Sequence, residues 1–286
     1  MNMKTKKIGS EKLTVKSVLI KVFIVLLCCI EIYPLFWMLT ASFKQQSEWV
    51  SKPAYALNEG FYVQNYIDAW TRGHMATFFK NSLINTIVSL VFIVILTTTV
   101  AFALTKMEWK WKDKVAKYFQ LGIMVPIATA LIPLFQIYNK MNLINTRTCL
   151  ILSYIAFGLS LSIYLVTGFL RSLPDEIMEA AVIDGCGIYR LMWYVVVPLM
   201  KNAIVTVLVL QFFFKWNDLL FSMTFINDTS LKTVQTGLLY FQNEFGAKNW
   251  GAIFASVSMS VLPMLGLYMV LNKKVIEGMT AGAVKG

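Results

Sequence analysis

Long apolar runs separated by short polar stretches set the pattern of this chain. Four runs carry no charged residue, at 82–104, 118–138, 148–170 and 251–271. Each meets the length a bilayer demands, because a helix rises only about 1.5 Å per residue and needs about 20 apolar residues to cross. Residues 22–40 form a fifth run that holds one carboxylate, Glu31. Residues 199–222 form a sixth, with Lys201 at its start and Lys215 and Asp218 near its far end. The pattern therefore predicts an all-α integral membrane protein with six transmembrane helices. Lysines precede the first run as in a signal peptide, but Pro34 is followed by LFWMLTASFK, too bulky for a cleavage site, so the helix is expected to be retained.

Composition agrees with that picture. Of 286 residues, 57% are hydrophobic and 14% charged, with a mean hydropathy of +0.63. A water-exposed domain carries about 25% charged residues. The formal charge of +11 does not point to nucleic acid, since a DNA or RNA binder gathers its basic groups on one polar face, and here they lie between apolar runs. Their distribution instead orients the chain, because basic loops resist translocation. With the N-terminus inside, segments 1–21, 105–117, 171–201 and 272–286 hold 17 of the 26 lysines and arginines. The expected topology is N-in and C-in. It divides the chain into a cytoplasmic N-terminus (1–21), a first transmembrane helix (22–40), an external segment (41–81), a transmembrane core (82–272) that includes a cytoplasmic loop at 171–201, and a cytoplasmic tail (273–286). The external stretches are rich in aromatic and polar residues, which suits segments at the membrane interface or docking surfaces.

Little in the chain suggests a reaction centre. Cys28, Cys29, Cys149 and Cys186 have no metal-ligand spacing and are expected to be unpaired apolar fillers. His74 stands alone, so it builds neither a metal site nor a triad. No G-x-x-x-x-G-K-[ST] phosphate loop occurs, so any ATP hydrolysis belongs to another chain. The expectation is a non-enzymatic protein with no metal and no cofactor of its own. Glu31 is expected to face a protein interface and hydrogen-bond a neighbouring helix. Lys215 and Asp218, three residues apart, are expected to pair on one helix face. Pro126, Pro133 and Pro263 mark kinks.

The most informative stretch is the loop RSLPDEIMEAAVIDGCGIYRLMWYVVVPLMK at 171–201. Ser172 stands three residues before Asp175 in a capping arrangement, Pro174 suits a first turn, and Asp175, Glu176 and Glu179 favour a helix N-terminus. Gly185 is placed to end that helix in the left-handed conformation. Ile177, Ala180 and Ala181 recur at i, i+3 and i+4 and make a narrow stripe of mostly small side chains. A second helix follows from Ile188, and Pro198 marks the turn into the fifth span.

Glu179, Ala180 and Ala181, three residues, Gly185, nine residues, then Val195, any residue, Val197 and Pro198 together resemble the EAA loop of ATP-binding-cassette importer permeases. Asp184 supplies the DG common in sugar permeases. Val195 and Val197 replace the usual Ile and Leu and keep their apolar character. NSLINT at 81–86, MVPIATALIPLFQIY at 124–138, KWND at 215–218 and IEGMTAGAVKG at the C-terminus are similar to the maltose-type carbohydrate subfamily, in order and at matching intervals.

The resemblance implies an importer-permease (MetI-like) core with a coupling helix between the fourth and fifth spans. It also implies two ATPase subunits on the cytoplasmic side, a second permease subunit that is usually a different chain, and an external sugar-binding protein. The loop residues Glu179, Ala180, Ala181, Asp184, Gly185 and Pro198 would dock in the ATPase, and the tail residues Gly282, Val284 and Lys285 would add contacts. Gln211, Trp216 and Asn217 offer the aromatic and hydrogen-bonding groups that sugars use, although no pattern selects among them. An alternative class, a secondary carrier driven by an ion gradient, calls for several midplane charges and inverted repeats. Glu31 is the one charge near a midplane, and no repeat is found.

Overall fold

The computed structural model describes residues 15–244 and 249–283, and these are mostly helical, with no strand among them. Four helices are long and apolar enough to cross a membrane singly: α1 (Val15–Ala41), α4 (Met75–Lys106), α7 (Arg147–Leu170) and the stretch Trp250–Asn272 of α13 (Trp250–Ala283). Two further apolar elements are bent pairs. α5 (Lys112–Ile123) and α6 (Ile127–Lys140) meet at 102°, and α9 (Ile188–Leu199) and α10 (Lys201–Trp216) at 75°. The count reaches six if each bent pair is one span.

The first of these bends falls within the third span expected at 118–138, at Pro126, one of the prolines that mark kinks in the sequence. Pro126 has no N–H to continue the ladder and disfavours helical geometry in the residue before it. It adopts an extended backbone at the start of α6, with φ −67° and ψ 135°. The fifth span differs from its expected form. α10 stops at Trp216, so Asp218 leaves the face on which it was expected to meet Lys215. Asp218 instead accepts the Tyr154 hydroxyl at 2.9 Å and the N–H groups of Phe221 and Ser222 at 3.1 and 3.0 Å, at the start of α11 (Leu220–Phe225). Lys215 lies 5.6 Å over the Tyr154 ring. The expected direct ion pair is replaced by a shared tyrosine.

α4 and α7 form the spine. In lipid the hydrophobic effect adds little between helices, so small and polar side chains gather where helices pack closely. α4 buries Ser82, Asn85, Thr86 and Ser89, and α7 buries Ser153 and Ser162. At Gly158 of α7 an added Cβ would stand 2.6 Å from Ile93 Cδ1, so this glycine sets the closeness of the two helices. α10 and α13 complete the bundle, and α12 (Val234–Glu244) crosses beside α4.

α1 stands largely apart, with its apolar surface exposed until Trp37 and Ala41 reach α13. Glu31 is exposed on it and bonds to none of the described residues of this chain. Beyond α1 the chain folds into a compact cap with α2 (Gln46–Ser51) and α3 (Gln64–Thr71). Asn65 donates to the carbonyls of Ser42 and Lys44, and an added Cβ at Gly251 would clash with Asn65, so the cap sits tightly on the start of α13.

Candidate coupling site

The loop between α7 and α10 folds as two short helices joined by a tight turn. α8 (Glu176–Ile183) ends where Gly185 takes φ +79°. The Gly185 N–H donates to the Val182 carbonyl and the Cys186 N–H to the Ala181 carbonyl, each at 2.9 Å, which completes the paired bonds of a Schellman motif. No atom lies within 4 Å of a Cβ built at Gly185, so the demand for glycine there comes from backbone conformation and not from crowding. Asp184 sits at the C-cap, exposed.

The start of α8 differs from the sequence pattern. Ser172 does not cap the helix, because its hydroxyl donates to the Phe169 carbonyl at 2.7 Å. Asp175 precedes the helix and pairs with Lys106 at 2.6 Å, while the same ammonium donates to the Leu173 carbonyl at 3.1 Å. Lys106, in the last turn of α4, thereby fastens the approach to α8. The periodicity of the loop does not reveal this partner, which lies 69 residues away.

The side chains divide into an anchored face and an outward face. Met178, 7% exposed, is buried with Leu191, Met192, Val196 and Met200 against Ala101 and Phe102 of α4 and Val166 and Leu170 of α7. Ala181 and Cys186 pack on the same cluster. The predicted stripe is therefore split: Ala181 turns inward, whereas Ile177 and Ala180 face out with Glu179. The outward face continues through Ile183, 85% exposed, and Tyr189 and Tyr194, each 79% exposed.

α9 carries the connection onward. Its middle, Leu191–Val196, is wound one residue wider than an α-helix, and the Val197 N–H bonds to the Met192 carbonyl five residues back. Pro198, exposed, follows directly and has no N–H to restore regular spacing. The 75° bend falls just beyond, at Met200.

Gln211, Trp216 and Asn217 stand on the second half of α10 and just past its end, outside this loop. Gln211, 2% exposed, donates from its amide to the Gly158 carbonyl and the Ser162 hydroxyl of α7. The Trp216 indole donates to the Ser260 carbonyl of α13 at 2.9 Å. Asn217 is exposed, and its amide donates to the Phe213 carbonyl. Gly282 lies near the end of α13, and Val284 and Lys285 lie outside the described residues.

A pair of short helices, anchored in a bundle of membrane-length helices and closed by Gly185, thus presents an exposed outer face at this end of the core. Residues 73–276 match the family described as binding-protein-dependent transport system inner membrane component. The chain belongs to this family. The permease is accordingly a multi-pass membrane protein and a transport subunit. It is 34% identical over 253 residues to a putative ABC transporter permease protein of Caldicellulosiruptor, across 88% of this chain and 91% of that one. It is 30% identical over 262 residues to the melibiose/raffinose/stachyose import permease of Bacillus subtilis, across 91% and 94%. Its fold matches a chain in the crystal structure of a bacterial ABC transporter that imports the acidic polysaccharide alginate. That match has a TM-score of 0.80 at 17% identity and covers 91% of this chain and 96% of the other.

Proposed function

We propose that this permease forms half of the membrane pathway of an ATP-driven importer for a sugar or oligosaccharide, with α8 as the element that receives the motion of a separate ATPase. The observation that carries the proposal is the two-faced loop. Glu179 and Ala180 are free on its outer side, while Met178, Leu191 and Met192 lock its inner side into α4 and α7. A push on the outer face therefore reaches the membrane helices through packed side chains. Small Ala180 permits close approach, Glu179 offers a carboxylate to basic or amide donors, and the exposed Ile183 and Tyr189 add apolar surface.

The same proposal places residues 171–201 and both termini on the cytoplasmic side and keeps the division of the chain expected from its charges. The partners are two ATPase subunits, a second permease that is a different chain, and an external sugar-binding protein. Asp184, Gly185 and Pro198 shape the docking element, and Gly282, Val284 and Lys285 add tail contacts. Nucleotide chemistry is assigned to the ATPase, so this chain is not an enzyme and needs no cofactor or metal. The saccharide class rests on relatives such as the melibiose/raffinose/stachyose permease.

Glu179→Lys and Gly185→Asp test the docking role. Both variants are expected to insert in the membrane at normal levels and to lose ATP-coupled uptake in vesicles containing the full assembly. Normal uptake by both removes the role from this loop.

A further inference from the structure

A cleft of about 460 Å³ opens between α5, α7 and α10, one layer inward from the coupling loop. Its size falls in the range of small-molecule sites, about 300–1,000 Å³. Much of its wall is apolar, yet Gln120, Ser160, Thr167 and Thr206 bring an amide and three hydroxyls from three different helices to one space. Thr167 is 9% exposed, and its Oγ1 is buried without a hydrogen-bond partner. In a span this is costly, because no lipid tail can satisfy a hydroxyl. Phe119 and Tyr164 supply aromatic surface, and Arg171 is the one charged side chain in the wall.

We propose that this cleft is a saccharide subsite within this subunit, on the inner part of the transport path. The inference rests on the importer function proposed above and deepens it. A sugar presents alternating hydroxyl edges and C–H faces, and the cleft answers both, with hydroxyls and an amide beside aromatic rings. Five donors on Arg171 can fork onto vicinal hydroxyls or a sugar carboxylate. No carboxylate lines the wall, so a cationic cargo finds no counter-charge there. The Thr206 hydroxyl already donates to the Asn202 carbonyl at 2.9 Å, but a lipid chain would leave the buried Thr167 hydroxyl unanswered. Location links the subsite to the motor. Leu104 in the wall belongs to α4, whose Ala101 and Phe102 pack with Met178 of α8, and Ala203 and Thr206 stand on the first turns of α10, just past the bend from α9.

Gly168 provides the probe, since it lines the cleft and a Cβ added there meets nothing within 4 Å. Gly168→Cys is placed in a chain whose Cys28, Cys29, Cys149 and Cys186 are alanine, and Ser160→Cys serves as a second reporter. The permease is assembled with its ATPase, partner permease and binding protein in proteoliposomes. Alkylation by N-ethylmaleimide is followed during turnover with melibiose, raffinose or maltose. The sugar that is taken up is expected to slow alkylation several-fold. Thr167→Val, which breaks no existing hydrogen bond, is expected to weaken that protection several-fold and leave the protein folded. An unchanged alkylation rate at both reporters while uptake proceeds overturns the subsite and leaves the importer function standing. Protection that follows added phospholipid instead of sugar assigns the cleft to lipid and overturns it too. If the unmodified assembly takes up none of these sugars on ATP, the saccharide function beneath the inference fails with it.

Discussion

Glu48 illustrates how one side chain can order the segment that follows the first helix. Its carboxylate accepts the N–H of Gln45 at 2.9 Å and of Glu59 at 3.0 Å, and so closes the cap from two directions. Beside it Lys44 donates to the Ala54 carbonyl and lies 4.7 Å over the Trp49 ring. Burial lowers the Lys44 ammonium from its ordinary value. For Glu48, burial alone would raise the carboxyl, but the two N–H donors, Lys52 and Lys44 outweigh it and hold the group below its ordinary 4.5. A carboxyl depressed in the folded state stabilises the fold fully above the unfolded value and loses that contribution as pH falls through the folded one. The melting temperature of the purified permease is therefore expected to fall as pH drops below 4.5. In Glu48→Gln the melting temperature should be lower at neutral pH and flatter across that range. Identical pH profiles for the two proteins would contradict the role given to Glu48.

Among the elements, the α8–α9 pair matters most to the proposed coupling, in which its anchoring would decide whether an external push is transmitted or absorbed. Met178 is the one buried side chain of α8. Truncating a buried methionine to alanine costs about 2–5 kcal/mol in a well-packed site. Met178→Ala is expected to leave docking intact while loosening the joint, so ATP hydrolysis persists and sugar moved per ATP falls. Equal ratios of uptake to hydrolysis in variant and parent, measured in the same vesicles, would mean that the anchor carries no coupling. Much of this element was legible in advance. Gly185 announced the left-handed stop, and the acids announced an N-terminus. Other features depended on distant contacts. Ser172 reads as a cap until Lys106 takes Asp175, and the alanine pair reads as one stripe until the core claims Ala181. Pro126 marked a break in the third span, but a local signal carries no information on the 102° that tertiary packing gives it.

At the scale of the molecule, the apolar runs gave the helical membrane architecture directly, since length and hydropathy are properties of the chain itself. Pairing was less visible. Asp218 and Lys215 are close in sequence, yet Tyr154, on another helix, brings their charges into one arrangement. The path from the loop to the helical core is continuous: Ala180 and Glu179 outside, Met178 and Met192 beneath them, and the C-terminal ends of α4 and α7 below. Rigid packing of this kind passes displacement on because close-packed interiors yield little. The most direct test is cross-linking from Ala180→Cys in the assembled importer, using membranes of known sidedness. An adduct with the ATPase, formed from the cytoplasmic side, is expected, with loss of uptake when it forms. Modification of Ala180→Cys only from the outer side, with no ATPase captured, would contradict the coupling role given to α8.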